Sequence, residues 1–248
     1  MSDEAEQRGG VAAVDRALSI LEVFRPGERS LPLAQIAQRT GLYKSTILRL
    51  DASLERAGYM VRLDDGHWRL GPALSRLGST YQSAFNLRDY IEPTLQRLVD
   101  RCGETAAFYI RDGNVRVCLF RAEAKHSVRH HINVGQHLPL ERGGPARVLR
   151  AFTGGDDEIS EQVRRDFYFF SAGERDPETS GVAVPVMDSN GLCGAMAVIG
   201  PTTRMTSEVM QRYLGDVLQA SVDVSIKLGG DVRGLQAAIQ RQHDKQKV

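Results

Sequence analysis

Five side chains able to contact DNA lie within seven positions of the chain. They are Tyr43, Lys44, Ser45, Thr46 and Arg49. Lysine and hydroxyl side chains bind phosphate oxygens, and an arginine can donate two hydrogen bonds to the major-groove edge of guanine. At the start of a single helix these groups would meet a DNA duplex together. The segment is therefore a candidate DNA-contacting surface.

Four histidines within twelve positions raise the question of a metal site: His126, His130, His131 and His137. On a strand, His130 and His131 would point to opposite faces and could not share one ion. The spacing also matches no zinc motif, so we predict no metal site. The alternative is that one or two of these histidines line a pocket and donate to a carboxylate, since pockets use few polar groups to orient a ligand.

The sequence lacks the short motifs of common catalytic mechanisms. It contains no G-x-S-x-G elbow, no P-loop, no G-x-G-x-x-G turn and no H-E-x-x-H pair. We therefore predict that the protein is not an enzyme and uses no cofactor.

Length and composition favour two ordinary globular domains. The chain has 248 residues, 42% of them hydrophobic and 25% charged, and a net charge of +1. No stretch is apolar enough for a membrane span, and three scattered cysteines are typical of a reducing cytosol, so we expect a cytoplasmic protein without a membrane partner. Residues 1–10 are polar and predict a disordered leader. Residues 33–62 carry five basic and two acidic side chains, which makes a modest basic patch.

Hydrophobic spacing predicts three helices in the first sixty residues, over 11–24, 33–40 and 44–57. Gly41 is expected to cap the second helix in the left-handed conformation. In the third helix Ile47, Leu50 and Leu54 form the apolar face, which turns the DNA-contacting side chains outward. Two short helices joined by a tight glycine turn are typical of a helix-turn-helix, whose second helix enters the major groove.

Two short extended runs follow, around the turn Asp64-Asp65-Gly66. They predict a β-hairpin over residues 59–71 that acts as a wing. Arg62 and Arg69 would reach the DNA backbone or minor groove, and Trp68 is expected in the hairpin core.

The remainder of the chain mixes helices and strands. Helices are predicted over 72–86, 87–101, 146–152 and 207–228, and strand pairs over 105–111 with 115–121 and 181–186 with 192–199. A sheet accompanied by helices in this order indicates an α+β domain. The chain after residue 230 reads as a polar tail, with one or two helical turns around Leu235, Ala238 and Ile239.

An ordered series of motifs runs through residues 11–229. In the first seventy residues the motifs are Val14-Asp15-Arg16-Ala17-Leu18-Ser19-Ile20-Leu21, Leu33-x-x-Ile36-Ala37, Gly41-Leu42-x-Lys44-Ser45-Thr46, Leu54-Glu55-x-x-Gly58-Tyr59 and Trp68-Arg69-Leu70-Gly71. They continue through Gly103-Glu104-Thr105, Gly135-x-x-x-Pro139-Leu140, Gly173-Glu174, Ala183-x-Pro185-Val186 and Gly200-Pro201-x-x-Arg204. The series resembles the IclR-type regulators, and an ordered series is far more specific than any one motif.

The resemblance implies a winged helix-turn-helix over 11–71, a linker helix over 72–86 and a GAF-like effector-binding domain over 87–229. It also implies a homodimer, with a tetramer as the alternative, on a two-fold symmetric DNA site. The sequence departs from the family at Tyr43, where proline is usual, and at Asp51, where leucine is common. The effector loop carries Ala146 and Arg147 in place of glycine and lysine. The acidic Asp51 inside the recognition helix means that the DNA sequence cannot be borrowed from relatives.

Carrying the family's effector contacts onto this chain gives eight candidate pocket residues. They are Ser127, His130, Gly144, Pro145, Ser171, Gly181, Ala197 and Ile199. Relatives often carry serine or cysteine where Gly181, Ala197 and Ile199 stand, so we expect a less polar pocket and an organic, aromatic carboxylate as effector. The alternative for Ser127 and Ser171 is that both are turn residues.

Together these features predict a sequence-specific DNA-binding transcriptional regulator controlled by a small molecule. Whether it represses or activates is left open, since either follows from which state the ligand prefers. Two other function classes remain: an enzyme fused to a helix-turn-helix, and an interaction module whose three-helix head binds protein.

Overall fold

The computed structural model describes residues 10–25, 27–84 and 86–246, without the side chains of 79, 81–84, 245 and 246. The predicted leader therefore lies almost wholly outside the described residues. The contacts between residues divide the chain into two compact units, residues 1–85 and residues 86–248.

The first unit contains helices α1 (Ala12–Glu22), α2 (Leu33–Thr40), α3 (Lys44–Arg56) and α4 (Pro72–Ala84). Its three strands are β1 (Leu31–Pro32), β2 (Met60–Arg62) and β3 (His67–Leu70), in the antiparallel order β1-β3-β2. Gly41 ends α2 in the left-handed conformation and donates its N–H to Ala37, as predicted. The core joins α1, α2 and α3 to the strands through Ile20, Leu31, Ile36, Ile47, Leu54, Met60 and Trp68. Trp68 is 2% exposed and is hairpin core.

The second unit is built on one six-stranded antiparallel sheet in the order β6-β5-β4-β9-β8-β7. The strands are β4 (Thr105–Asp112), β5 (Val115–Ala122), β6 (His137–Pro139), β7 (Phe169–Ala172), β8 (Thr179–Asp188) and β9 (Gly191–Pro201). The helices are α5 (Arg88–Cys102), α6 (Gly144–Phe152), α7 (Glu158–Asp166), α8 (Ser207–Lys227) and α9 (Arg233–Gln246). The α+β class is confirmed.

Helices cover both faces of this sheet because apolar side chains point alternately to its two faces along the strands. Ala107 and Tyr109 of β4 pack with α6 in one core cluster. On β8 the Pro185 carbonyl accepts a hydrogen bond from the Ser221 hydroxyl of α8, and α5 packs beside α8. The sheet therefore separates an α6–α7 layer from an α5–α8 layer.

Two of the sequence motifs meet in this unit. Arg204, at the end of the Gly200-Pro201 motif, donates from Nη2 to Oε2 of the buried Glu104 at 3.0 Å. An ion pair spanning a hundred residues thus links the start of β4 to the loop after β9.

The C-terminal segment differs from the predicted polar tail. Helix α9 is 14 residues long, where one or two turns were expected. Leu235 and Ala238 are buried, and Gln242 donates from Nε2 to the Gln211 carbonyl of α8 at 3.0 Å. One apolar stripe against α8 is enough to order a helix whose other positions are polar.

Candidate functional site

The predicted DNA-contacting side chains occupy the exposed start of α3. Tyr43 precedes the helix and is 84% exposed, Lys44, Ser45 and Arg49 are exposed, and Thr46 is half-buried. They share this surface because Ile47 and Leu54 face the core. The structure thus brings these five side chains to one end of α3. Leu48, which sequence reasoning did not include, is also 43% exposed there.

Asp51 lies on the buried face of α3 with Ile47 and Leu54, so the prediction that its charge alters DNA reading is wrong. It is 4% exposed, and its Oδ2 accepts a hydrogen bond from Trp68 Nε1 at 2.6 Å. Oδ1 is buried without a hydrogen-bond partner, and burial raises the pKa of this carboxyl. Asp51 therefore fastens α3 to the hairpin instead of facing DNA.

The hairpin presents Arg62 and Arg69, both exposed, on neighbouring strands where Val61 pairs with Arg69 and Arg62 pairs with Trp68. The Arg62 guanidinium stacks over the Trp68 ring, with Cζ 5.1 Å from the ring centre. Its backbone N–H donates to Glu55 of α3 at 3.0 Å. These contacts hold the wing and α3 as one surface of fixed geometry.

A pocket in the second unit opens between β4, β5, the start of α6 and strands β7 to β9. Seven of the eight candidate effector residues line it: His130, Gly144, Pro145, Ser171, Gly181, Ala197 and Ile199. Ser127 lies outside it, exposed on the loop between β5 and β6. The space free of protein atoms between the lining residues, counted with its open mouth, is about 430 Å³.

Two glycines shape this pocket. Gly143 has φ 95°, a conformation that side chains rarely adopt, and leads into α6. A Cβ on Gly181 would lie 2.5 Å from the Val198 carbonyl oxygen, so only glycine fits between β8 and β9 there. The lining residues on that side are small or apolar, including Ala197 and Ile199.

Arg116 on β5 is the polar residue that sequence reasoning missed. It is 2% exposed, and its Nη1 donates to the carbonyls of Pro139 and Arg142, the latter at 2.8 Å. Its Nε is buried without a hydrogen-bond partner, and burial lowers the pKa of the guanidinium to about 10. The sequence feature that could have revealed Arg116 is an arginine at an inward position of a predicted strand, two residues before the buried Cys118.

The neighbouring groups make the pocket electropositive. Arg175 joins the lining residues, and none of the described lining residues is an Asp or Glu. His130 is buried, which lowers its pKa to about 4 and leaves the imidazole neutral. Arg147 of α6 is bound to Glu174 at 2.8 Å from Nη2. Glu174 also accepts from the Gly143 N–H at 2.6 Å and so fixes the start of α6.

The first turn of α6 adds uncharged donors to this site. Helix N-termini leave backbone N–H groups without acceptors inside the helix, and their partial positive charge favours anions. Gly144 supplies such a group to the pocket, and Pro145, which follows it, has none. The pocket thus combines cationic and N–H donors with an apolar wall.

The histidine segment contains no strand at His130 and His131, which lie in the loop between β5 and β6. His130 is buried in the pocket and His131 is exposed. Within the part of the chain that the structure describes, no group of three metal-binding side chains is present.

Comparison with known proteins decides the family. Residues 13–64 match the IclR helix-turn-helix domain, and residues 79–161 match the C-terminal domain of the bacterial transcriptional regulator IclR. The chain belongs to the IclR family. Members of this family are DNA-binding transcriptional regulators and not enzymes, as predicted from the sequence.

Curated IclR-family relatives match along most of their length. The HTH-type transcriptional regulator BhcR of Paracoccus denitrificans is 29% identical over 89% of this chain and 88% of its own. The transcriptional repressor IclR of Escherichia coli is 24% identical over 91% and 93%. Among solved structures, the fold is similar to that of Pseudomonas aeruginosa HmgR, with a TM-score of 0.69 and 20% identity over 89% of this chain and 99% of the other.

Within the described residues, this IclR-family protein has no helix long and apolar enough to cross a membrane.

Proposed function

We propose that this IclR-family regulator binds a two-fold symmetric DNA site through α3 and the wing, and that a small organic carboxylate in the second unit controls the binding. Lys44, Ser45 and Thr46 contact phosphates, and Arg49 contacts a guanine edge. Tyr43 contacts the duplex beside them, and Arg62 and Arg69 contact the backbone or minor groove. The fixed geometry of α3 and the wing supports this assignment, because the Asp51–Trp68 hydrogen bond couples them. If it binds DNA in this way, the protein acts in the cytoplasm.

The buried Arg116 is the observation that carries the ligand proposal. A buried guanidinium with a free Nε and no carboxylate among its pocket neighbours is costly unless an anion binds it. A carboxylate placed between Arg116 and the α6 N-terminus would supply that anion. Leu138, Ala197 and Ile199 would then contact an aromatic or other apolar body.

A homodimer explains the two-fold site. At the start of α1 the side chains of the N-cap residue Val11 and of Val14 and Leu18 are 67%, 53% and 52% exposed. Their spacing of three and four places them on one helix face, which a second copy of the winged unit would cover. Leu77 of α4 is also 46% exposed.

Control follows if the ligand binds one arrangement of the dimer better than another and so changes the population that binds DNA. Relatives named as repressors, such as IclR of Escherichia coli, favour repression with release by the ligand.

The test is selection of DNA from a random pool and from the fragment upstream of the protein's own gene, followed by affinity measurements over a salt series. Binding should weaken steeply with salt, and Lys44→Ala should weaken it about equally on all sequences while reducing the salt slope by about 1. Arg29→Ala, which removes an exposed charge elsewhere in the unit, is the matched control. Failure to select any DNA, with a folded protein, would favour the interaction-module alternative.

A further inference from the structure

The ligand pocket holds more positive charge than one carboxylate neutralises. Arg116 and Arg175 both line it, and the described lining residues include no acidic side chain. Two carboxylates outside the lining, those of Glu141 and Glu174, attract Arg116, and Glu174 is already engaged by Arg147 and by the Gly143 N–H. Neither guanidinium of the pocket therefore has a protein carboxylate as its partner among the described ion pairs.

The two arginines lie beside Gly143 but at different depths in the pocket. A Cβ on Gly143 would lie 3.3 Å from Nη2 of Arg116 and 3.7 Å from Cβ of Arg175. Arg116 is buried, whereas Arg175 is exposed and stands at the mouth. The charge of Arg175 also contributes to lowering the pKa of Arg116 and of His130, so the cations repel each other when the pocket holds no anion.

A ligand with one acidic group leaves one of these cations uncompensated. If its carboxylate binds Arg116 at depth, Arg175 still faces the mouth without a partner. A second acidic group on the same ligand would remove the repulsion and add a charge-assisted hydrogen bond. The apolar wall of Leu138, Ala197 and Ile199 would contact the carbon skeleton between the two groups.

We propose that the effector is a dicarboxylate, with one carboxylate on Arg116 and the α6 N-terminus and the other on Arg175. This inference rests on the proposed function, since it assigns the chemical class of the ligand in that same pocket. It assigns distinct roles to the two arginines: Arg116 binds the acidic group that any ligand must carry, and Arg175 selects for the second.

Matched acids test this assignment by isothermal titration of the full chain. The pairs are benzoate with benzene-1,3-dicarboxylate and hexanoate with hexanedioate, each differing by one carboxylate. We expect at least one diacid to bind about 10- to 100-fold more tightly than its monoacid, the range of one charge-assisted hydrogen bond. Arg175→Gln should weaken diacid binding about 10- to 100-fold more than monoacid binding and so remove that preference.

Arg165→Gln is the matched control, since it removes an exposed arginine of the same unit outside the pocket, and it should preserve the preference. Because Arg175 is exposed, its variant should keep the wild-type melting temperature. Equal binding of both members of each pair, or a preference that survives in Arg175→Gln, would overturn the dicarboxylate assignment and leave the proposed function standing. Failure of all four acids to bind would count against the proposed function itself.

Discussion

Replacing Arg116 with methionine should change the stability of the ligand-free protein little while abolishing its response to acids. Burial depresses the pKa of this guanidinium to about 10. At about 1.4 kcal/mol for each pKa unit, the buried charge opposes folding by roughly 3 kcal/mol. Methionine fills a similar volume without charge, and the same change at other buried charges is often neutral or stabilising.

The variant also loses two hydrogen bonds, from Nη1 to the carbonyls of Pro139 and Arg142. A hydrogen bond from a charged donor contributes about 1.5–3 kcal/mol. At the lower end of that range the two lost bonds offset the roughly 3 kcal/mol regained from the buried charge, so Arg116→Met should change the free energy of unfolding by less than about 2 kcal/mol. Two units need not unfold together, so the assay is amide hydrogen exchange of β5 in the ligand-free protein.

Arg121→Met is the control on the same strand, because Arg121 forms an ion pair with Glu123 at 2.7 Å and should lose stability on replacement. Ligand titration of Arg116→Met should show at least a hundredfold loss of affinity for any acid that binds the wild type. A loss of more than about 2 kcal/mol of stability in Arg116→Met would refute this reasoning. The guanidinium would then serve chiefly to hold the loop carbonyls.

Three further predictions concern single side chains. Arg49→Ala should cost about 1–3 kcal/mol of affinity for a selected DNA site and relax discrimination at one base pair, measured by fluorescence anisotropy with single-base variants of the site. Trp68→Phe should lower the stability of the winged unit by about 1–3 kcal/mol, because the buried Asp51 carboxylate then has no hydrogen-bond donor. Faster hydrogen exchange of the β2 and β3 amides would show this loss. Burial lowers the pKa of His130 to about 4, so the folded state binds fewer protons than the unfolded state. The free energy of unfolding should therefore fall by roughly 3 kcal/mol as the pH drops from about 6.5 to 4, and it should fall by less in His130→Asn.

Elements with strong local periodicity could be predicted from the sequence. Helix α3 follows from the spacing of Ile47, Leu50 and Leu54, and strands β4 and β5 follow from apolar runs on either side of a turn. These signals are local because the repeat of the element itself creates the buried face.

Elements defined by their partners were missed. Strands β6 and β7 are three and four residues long and exist through pairing with β5 and β8. Helix α7 buries only Ser160 and Val163, so its hydrophobic pattern is weak. Its start did carry a signal, since the Asp157 side chain accepts the Ser160 N–H as an N-cap.

The pocket residues also divide into those that could be predicted from the sequence and those that could not. Residues such as Gly144 and Ala197 could be placed by family position, but Arg116 and Arg175 could not. Their significance depends on β5 and the loop after β7 meeting at Gly143, which no local pattern encodes. Asp51 was misread for a similar reason, because Trp68, its partner, lies 17 residues away in the chain.

The most direct test measures affinity for the selected DNA site with and without a saturating concentration of the tightest-binding of the four acids, in the wild type and in Arg116→Met. We expect the acid to change the dissociation constant of the wild type by at least fivefold, the lower end of ordinary allosteric coupling, and to leave that of Arg116→Met unchanged. An acid that fills the wild-type pocket without changing DNA affinity, or that acts equally on Arg116→Met, would contradict control through this pocket.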